Sequence, residues 1–213
     1  MTKKAIFFDL DGTLTDSGEG IINCATLALE HFGLPVPSRE EMRVFVGPPL
    51  DQTFIRFGVP ADKAQEAIAV FRSRYTTVGI FENHPYPGVC QMLQTLKAQG
   101  HRLFVATSKP EVMANKVLEH FGLAEFFEQV VGATLDGSRS HKEDVITYLL
   151  GLTGDVGQTL MVGDTAFDVI GAKAHGICTI GVSWGYGKVE DMVQAGAIAI
   201  AHTMEELVSL VNQ

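Results

Sequence analysis

Two aspartates one residue apart, Asp9 and Asp11, follow the apolar run Ala5–Phe8 near the start of the chain. A run this rich in aromatic and branched residues indicates a buried strand, inside which an unpaired carboxylate would be costly. We therefore expect both aspartates at the mouth of the strand. Gly12 permits a sharp turn, and Leu10 points the other way, so the two carboxylates can face one opening.

Further side chains that could do chemistry follow other apolar runs. The stretch VATSKP places Thr107 and Lys109 after one run, and MVGDTAFDV places Asp164 after another, with Asp168 one turn later in a predicted helix. Lys142 lies between these stretches. If the runs are strands whose ends converge, they bring together acids for a cation, a hydroxyl donor and an ammonium. Such groups can hold Mg²⁺ and a phosphoryl dianion.

The elements that would position these residues alternate along the chain. Short apolar runs that end in small or polar residues are typical of buried parallel strands. Between them, apolar residues recur at helical spacing before Gly100 and Gly122, which are natural helix stops. This alternation predicts an α/β fold with a doubly wound parallel sheet and ligands at the carboxyl ends of its strands. The predicted strands are 5–8, 102–106, 129–132, 159–163 and 177–182.

One stretch breaks this alternation. Residues 17–82 contain helical patterns and no strong strand pattern, and the segment HPYPGV after them has the prolines and glycine of a connection. We therefore predict an α/β core domain formed by residues 1–16 and 83–213, with a helical cap domain at 17–82 inserted into it.

Composition narrows the classes of partner. The chain has 213 residues, 46% of them hydrophobic, and its 16 basic and 25 acidic residues give a formal charge of -9. This balance argues against a nucleic acid polymer or an anionic membrane as partner. The sequence has neither a signal peptide pattern nor a run of about 20 apolar residues, which favours a cytoplasmic location and no membrane contact. The oligomeric state is left open, and a monomer is compatible with the sequence.

The cysteines fit the same interpretation. Cys24, Cys90 and Cys178 are odd in number, lie among apolar residues and form no Cys-x-x-Cys pair. We expect them to be buried, reduced thiols.

The motifs, taken in order, resemble those of the haloacid dehalogenase superfamily of phosphatases. DLDGT is similar to its first motif, Thr107 to its second, Lys142 to its third and GDTAFD to its fourth. The resemblance covers nearly the whole chain and is nearest to the phosphoglycolate phosphatase-like branch with a helical cap. It implies a Rossmann-like core that hydrolyses small phosphomonoesters.

The resemblance also implies roles for single residues. Asp9 would attack phosphorus and become an aspartyl phosphate, while Asp11 would protonate the leaving oxygen and then activate water. Thr107 and Lys142 would hold the phosphoryl oxygens. For each alone, an ordinary interpretation exists: a solvated turn for the aspartates, a strand-end hydroxyl for Thr107 and a solvated helix lysine for Lys142.

A cofactor follows from the same resemblance. Mg²⁺ would bind Asp9, the backbone carbonyl of Asp11 and Asp164, with Asp168 supporting these ligands from behind. Asp168 has an alternative role as a first-turn acid favoured by the helix dipole.

Substrate specificity is expected from the cap. Gly47, in RVFVGPPLDQT, would allow close approach to a substrate, and Arg43 would meet an anionic tail, unless this stretch is only a connection with a solvated arginine. For Arg72, Arg74 and Tyr75, likewise, a solvated helix face is the ordinary alternative to a part in specificity. Alternative functions are a phosphomutase of the beta-phosphoglucomutase type, a 5'-nucleotidase, a phosphotyrosine phosphatase and a phosphate-binding regulatory protein.

Two other motifs are rejected. DLDGTLTDSGEG lacks the glycine and the glutamate that a calcium loop needs at its sixth and twelfth positions. GVSWG matches the nucleophile elbow of serine hydrolases, with Asp191 and His202 downstream, but only 30 residues follow Ser183. That length is too short for the strands and helices that separate a triad.

Overall fold

The structure is a computed structural model that describes residues 3–154 and 156–213. Within these ranges the strands are β1 (Ala5–Phe8), β2 (Thr15–Asp16), β3 (His84–Pro85), β4 (Arg102–Pro110), β5 (Gln129–Ala133), β6 (Thr159–Gly163), β7 (Cys178–Val182) and β8 (Ala199–Ala201).

The α-helices within the same ranges are α1 (Gly18–His31), α2 (Leu50–Arg56), α3 (Ala64–Tyr75), α4 (Val89–Ala98), α5 (Glu111–His120), α6 (Lys142–Thr153), α7 (Ala166–Lys173), α8 (Val189–Ala195) and α9 (Met204–Val211). Short 3₁₀ helices lie at Glu41–Phe45, Ala61–Lys63, Gly79–Phe81 and Ala124–Phe126. None of the described helices is long and apolar enough to cross a lipid bilayer.

Six strands form one parallel sheet in the order β5-β4-β1-β6-β7-β8. The first strand is central, because β1 pairs with β4 on one side and with β6 on the other. The predicted α/β fold with a doubly wound parallel sheet is confirmed. The carboxyl ends of β1, β4 and β6 therefore lie side by side at one edge.

Both faces of the sheet are buried. Along β1, Ile6 and Phe8 pack into one apolar cluster while Ala5 and Phe7 pack into the other. All four residues are buried, as expected for a strand covered by helices on both faces. The continuous apolar run of β1 is thus explained, because both faces of this strand pack into apolar clusters.

The described residues of 17–82 are helical or irregular, and the chain enters and leaves this stretch at one place. There β2 pairs with β3 in an antiparallel register, Thr15 opposite Pro85 and Asp16 opposite His84. Just beyond, the Gly20 amide donates to the Glu82 carbonyl at 3.1 Å. The helices of this stretch are therefore joined to the sheet through a narrow, hydrogen-bonded stem.

The helical stretch has its own aromatic interior. Phe45 and Phe54 have ring centroids 5.1 Å apart, and Phe71 stacks on Tyr75 at 5.1 Å. Tyr75 is buried, and Arg74 makes two 2.7 Å hydrogen bonds to Glu82. The alternative of a solvated helix face at Arg74 and Tyr75 is therefore wrong. Tyr75 is part of the aromatic interior, and Arg74 is paired with Glu82.

The thiols also differ from expectation. Cys24 is buried, but Cys90 and Cys178 are exposed, and all three are free. Cys90 lies in the first turn of α4 and Cys178 begins β7. An apolar neighbourhood in sequence does not bury a residue that stands at the outer face or the end of its element.

Candidate active site

Three carboxylates meet at the carboxyl edge of the sheet. Asp9 follows β1, Asp164 follows β6, and Asp168 lies in the first turn of α7. All three are buried, and each offers an oxygen within 4.8 Å of the others. Because β1 and β6 are neighbours, the two strand-end aspartates must lie close together. The Asp9 amide donates to the Val162 carbonyl at 2.9 Å, which continues the pairing of β1 and β6 up to the site.

Asp168 is held by a capping box at the start of α7. Its Oδ2 accepts hydrogen bonds from the amide of Thr165 at 3.0 Å and from its hydroxyl at 2.9 Å. Gly163 permits this position, since a Cβ there would stand 2.3 Å from Cγ of Asp168. Asp168 therefore acts as the expected first-turn acid and at the same time presents Oδ1 to the cluster.

Lys142 is the cation of the cluster. It is the first residue of α6, is buried, and lies 2.8 Å from both Asp9 Oδ1 and Asp168 Oδ1. Its ammonium also donates to the Ala106 carbonyl at 2.9 Å. The alternative of a solvated helix lysine does not describe this side chain.

Asp164 is held by the loop 183–187, whose role the sequence analysis missed. Its Oδ1 accepts from the Thr13 hydroxyl at 3.1 Å and its Oδ2 from the Tyr186 amide at 2.8 Å. A Cβ on Gly12 or on Gly185 would stand 2.3 Å from an Asp164 side-chain atom. Part of the signal was present in GVSWGYG, whose closely spaced glycines allow a backbone to approach another group.

The cluster of Asp9, Asp164, Asp168 and Lys142 has more negative than positive charge. Burial raises the pKa of Asp9, and repulsion from Asp168 adds to this, although Lys142 acts in the opposite direction. Burial and repulsion from Asp168 and Asp9 likewise raise the pKa of Asp164. Burial acts to lower the pKa of Lys142, but Asp168 and Asp9 outweigh it and raise that pKa. Three carboxylates face one ammonium, so further positive charge would stabilise the site.

Asp11 lies apart from this cluster and has its own cation. Both of its carboxylate oxygens are 3.0 Å from Nζ of Lys109, which also donates to the hydroxyl of Tyr75 on α3. Burial acts to lower the pKa of Lys109, but Asp11 and Tyr75 together outweigh it and raise that pKa. Sequence analysis placed Lys109 at this strand end but assigned it no partner, and it did not anticipate Tyr75.

Thr107 is buried beside Asp9 in the last part of β4. Its Oγ1 accepts a hydrogen bond from the Lys109 amide at 3.2 Å. A hydrogen bond from Thr107 acts to lower the pKa of Asp9, against the larger effect of burial. The Thr107 hydroxyl therefore faces the Asp9 carboxylate.

A cavity of about 350 Å³ opens over these strand ends. Asp9, Asp11, Thr107 and Lys109 form its floor, and residues of the helical stretch form its opposite wall. This volume is at the lower end of the roughly 300–1,000 Å³ of pockets that bind small molecules. These four residues thus face a space fit for a small ligand, whereas Asp164, Asp168 and Lys142 are not among the described lining residues.

The two residues predicted to set specificity differ in position. Gly47 lines the cavity with a φ of 102°, a backbone conformation that favours glycine. Arg43 is not among the described lining residues: its guanidinium donates to the Gly185 carbonyl at 3.3 Å and lies 4.9 Å from the ring centre of Tyr186. The structure therefore directs Arg43 to the loop 183–187 and not to the cavity.

The donor set suits Mg²⁺. Asp9 and Asp164 supply hard carboxylate oxygens, which this ion prefers over nitrogen or sulfur. The surplus of buried negative charge is what a dication would offset. The residues present therefore fit the cation that the sequence analysis expected.

The rejected serine hydrolase motif forms a hydrogen-bonded pair, with Ser183 Oγ 2.9 Å from Nδ1 of His202. Neither residue is among the described residues that line the cavity. Their loop contributes to the site through its backbone contact with Asp164.

Comparisons with known proteins agree with this geometry. The family model of haloacid dehalogenase-like hydrolases matches residues 6–182. The chain is 42% identical to the tyrosine-protein kinase PtkA of Mycobacterium tuberculosis, over 96% of this chain and 71% of that protein. It is 40% identical to a 5'-nucleotidase of Pseudomonas aeruginosa, over 88% and 86%. It is 32% identical to a phosphoglycolate phosphatase of Caulobacter vibrioides, over 93% and 86%.

Solved structures extend the likeness to the whole fold. The crystal structure of a predicted phosphatase from Clostridium acetobutylicum superposes with a TM-score of 0.95 at 39% identity, over 100% of this chain and 99% of that one. PtkA of Mycobacterium tuberculosis superposes with a TM-score of 0.88 at 40% identity, over 100% and 99%. Helical stretch and sheet are therefore both shared with these proteins.

Proposed function

Because this chain belongs to the haloacid dehalogenase-like hydrolases and is a phosphoric monoester hydrolase, we propose that it hydrolyses small phosphomonoesters with Mg²⁺ through an aspartyl phosphate on Asp9. One observation carries the proposal. Asp9 lies on the floor of the cavity, within 4.8 Å of two other buried carboxylates and 2.8 Å from a buried lysine.

Asp9, the backbone carbonyl of Asp11 and Asp164 would hold the Mg²⁺. When bound, this ion supplies positive charge that draws a phosphoryl dianion to the carboxylates. Asp168 supports the site by fixing Lys142 and the start of α7.

Asp9 is the nucleophile. One carboxylate oxygen forms a bond to phosphorus while the bond from phosphorus to the ester oxygen breaks, and the electrons of that bond stay on the leaving oxygen. Lys142 and Thr107 hold the phosphoryl oxygens as they approach. Without such partners, the Asp9 carboxylate and the phosphoryl dianion would repel each other.

Asp11 moves the protons. It gives a proton to the leaving oxygen in the first step, and its carboxylate then takes a proton from the water that attacks the aspartyl phosphate. That second displacement releases inorganic phosphate and restores Asp9. Lys109, 3.0 Å from both oxygens, holds Asp11 in place at the cavity.

Residues 17–82 are the cap domain, set on a core of residues 1–16 and 83–213. The paired strands β2 and β3 at the junction support these boundaries. The cap shields the reacting groups from water. It also supplies the cavity wall that contacts the organic part of the substrate and so sets specificity. A cavity of about 350 Å³ fits a small-molecule partner.

The test is the release of nitrophenol from para-nitrophenyl phosphate by the pure protein. We expect turnover with Mg²⁺, none with EDTA, and none in Asp9→Asn. Asp144→Asn, which changes an exposed acid of α6, is the matched control and should retain the activity of the unaltered chain. Activity that survived both EDTA and Asp9→Asn would refute the proposed function.

A further inference from the structure

The cap wall of the cavity carries a guanidinium without a partner. Arg72 lies on α3, is partly buried and lines the cavity. Within the part of the chain that the structure describes, its side chain has no hydrogen bond, ion pair or ring contact. Its neighbour Arg74 is bound to Glu82, and Arg43 is bound to Gly185. Arg72 is therefore the cap arginine free to meet a ligand in this space.

The other buried cation at the cavity is already occupied. An ammonium has three N–H donors. Those of Lys109 meet the two oxygens of Asp11 and the hydroxyl of Tyr75. Lys142 lies beside Asp9 and Asp168, where the proposed function assigns it to the phosphoryl group. Neither lysine is available for a second negative charge on the organic part of a substrate.

Apolar side chains form much of the cavity that Arg72 lines. Six of them are Ile21, Phe45, Leu50, Ile68, Phe71 and Met113. Such a lining favours a flat hydrocarbon group over a strongly hydrated one, because burial of apolar area is favourable and burial of unpaired polar groups is costly. The cavity therefore offers a phosphoryl site on its floor, an apolar wall, and one guanidinium.

From this arrangement we propose that Arg72 is a specificity-determining residue, and that the preferred substrates are phosphomonoesters with an apolar, ring-sized alcohol part that carries a carboxylate. The guanidinium would take the carboxylate in a fork of two hydrogen bonds, which suits its planar geometry. This inference rests on the proposed function, since it concerns the substrate of the same site.

Besides Asp9 and Asp11, two carboxylates line the cavity and compete with Arg72 for the charge of the substrate. One is Asp136, whose Oδ1 accepts hydrogen bonds from the amide and the hydroxyl of Ser138. Asp51, in the first turn of α2, also lines the cavity. If Asp51 read the substrate, a cationic group would be preferred. The comparison of an anionic ester with a cationic ester distinguishes these two cases.

The experiment compares three esters that share one ring: phenyl phosphate, 4-carboxyphenyl phosphate and 4-(aminomethyl)phenyl phosphate. We expect kcat/KM to be highest for the carboxylate and lowest for the amine. Arg72→Ala should lower kcat/KM for the carboxylate about 10- to 100-fold, mainly through KM, and should leave phenyl phosphate nearly unchanged. Arg72→Lys should restore only part of the loss.

Arg56→Ala is the matched control, because Arg56 is an exposed cap arginine outside the cavity lining. It should leave the order of the three esters unchanged. A preference for the amine, or an equal loss on all three esters in Arg72→Ala, would overturn the inference. Absence of Asp9-dependent turnover of any of the three would instead overturn the proposed function, and this inference with it.

Discussion

At the scale of single residues, the site consists of two separate ion clusters. Lys142 serves Asp9 and Asp168, while Lys109 serves Asp11. The separation matters chemically, because the proposed nucleophile and the proposed proton carrier need different surroundings. A nucleophile must meet an anion beside cations, whereas a proton carrier must gain and lose a proton during the reaction.

Removal of Lys109 should destabilise the fold. The side chains of Lys109 and Asp11 are 3% and 11% exposed, so Lys109→Met leaves a buried carboxylate without its cation. We expect the free energy of unfolding in urea to fall by about 3–5 kcal/mol. Lys63→Met is the matched control, because its pair with Glu66 is about half exposed and should be worth below about 1 kcal/mol. Equal losses in the two variants would show that the buried pair is not stabilising.

The identity of the acids could be predicted from sequence, but their surroundings could not. Asp9 and Asp164 stand in recognisable motifs at predicted strand ends, and Lys142 matches the third motif by its place in the order. Tyr75 could not be assigned, because nothing local indicates that a residue of α3 reaches the end of β4. Arg43 was assigned to the cavity from its place in the cap loop, whereas the fold turns it to Tyr186.

At the scale of elements, the loop 183–187 links the sheet to the stem of the helical stretch. Its Tyr186 amide binds Asp164, its Tyr186 hydroxyl donates to Asp16, and Trp184 donates to the Thr13 carbonyl at 3.1 Å. One loop therefore fixes a proposed metal ligand and the residue where the helical stretch begins.

Gly185→Ala tests this close packing. The added methyl would stand 2.3 Å from Cβ of Asp164, so the loop or the aspartate must shift. We expect weaker Mg²⁺ binding by isothermal titration calorimetry and a loss of about 1–3 kcal/mol in stability. Gly151→Ala, in helix α6 with open space around it, should instead stabilise by roughly 0.5–1 kcal/mol. Unchanged Mg²⁺ binding in Gly185→Ala would contradict the role given to this loop.

The strands were predictable where they are continuous apolar runs. The predicted 5–8 and 159–163 agree with β1 and β6, and β4 extends past its predicted end to Pro110. The short strands β2, β3 and β8 were not predicted, since two or three residues carry no pattern of their own. β8 forms beside the longer β7, whose backbone groups it pairs, while β2 and β3 pair with each other in a separate two-stranded sheet.

At the scale of the whole molecule, the cluster of Asp9, Asp164, Asp168 and Lys142 carries surplus negative charge. It lies at the carboxyl edge of the sheet, on the side of the helical stretch. The folded chain brings the carboxylates together, and unfolding separates them. A cation that binds only the assembled cluster must therefore stabilise the folded state. We expect the bound cation to stabilise the inserted helices as well as the sheet, because the site lies where they meet.

Mg²⁺ should raise the melting temperature. At a concentration 100 times Kd, binding adds about 2.7 kcal/mol, which corresponds to roughly 5–11 °C for a protein of this size. Differential scanning calorimetry with and without the ion measures the shift. Asp164→Asn should lose most of it, while the exposed Asp144→Asn should keep it. A full shift in Asp164→Asn would place the ion elsewhere.

The most direct test of the proposed chemistry is to trap the phosphorylated enzyme. In Asp11→Asn, para-nitrophenolate can still leave without a proton, but water is no longer activated, so the aspartyl phosphate should accumulate. The measurement is mass spectrometry of acid-quenched Asp11→Asn after mixing with para-nitrophenyl phosphate and Mg²⁺. We predict one phosphoryl group on Asp9 and none in the double variant that also carries Asp9→Asn. Nitrophenol release with Asp9 unmodified, or a phosphoryl group on another residue, would contradict the account.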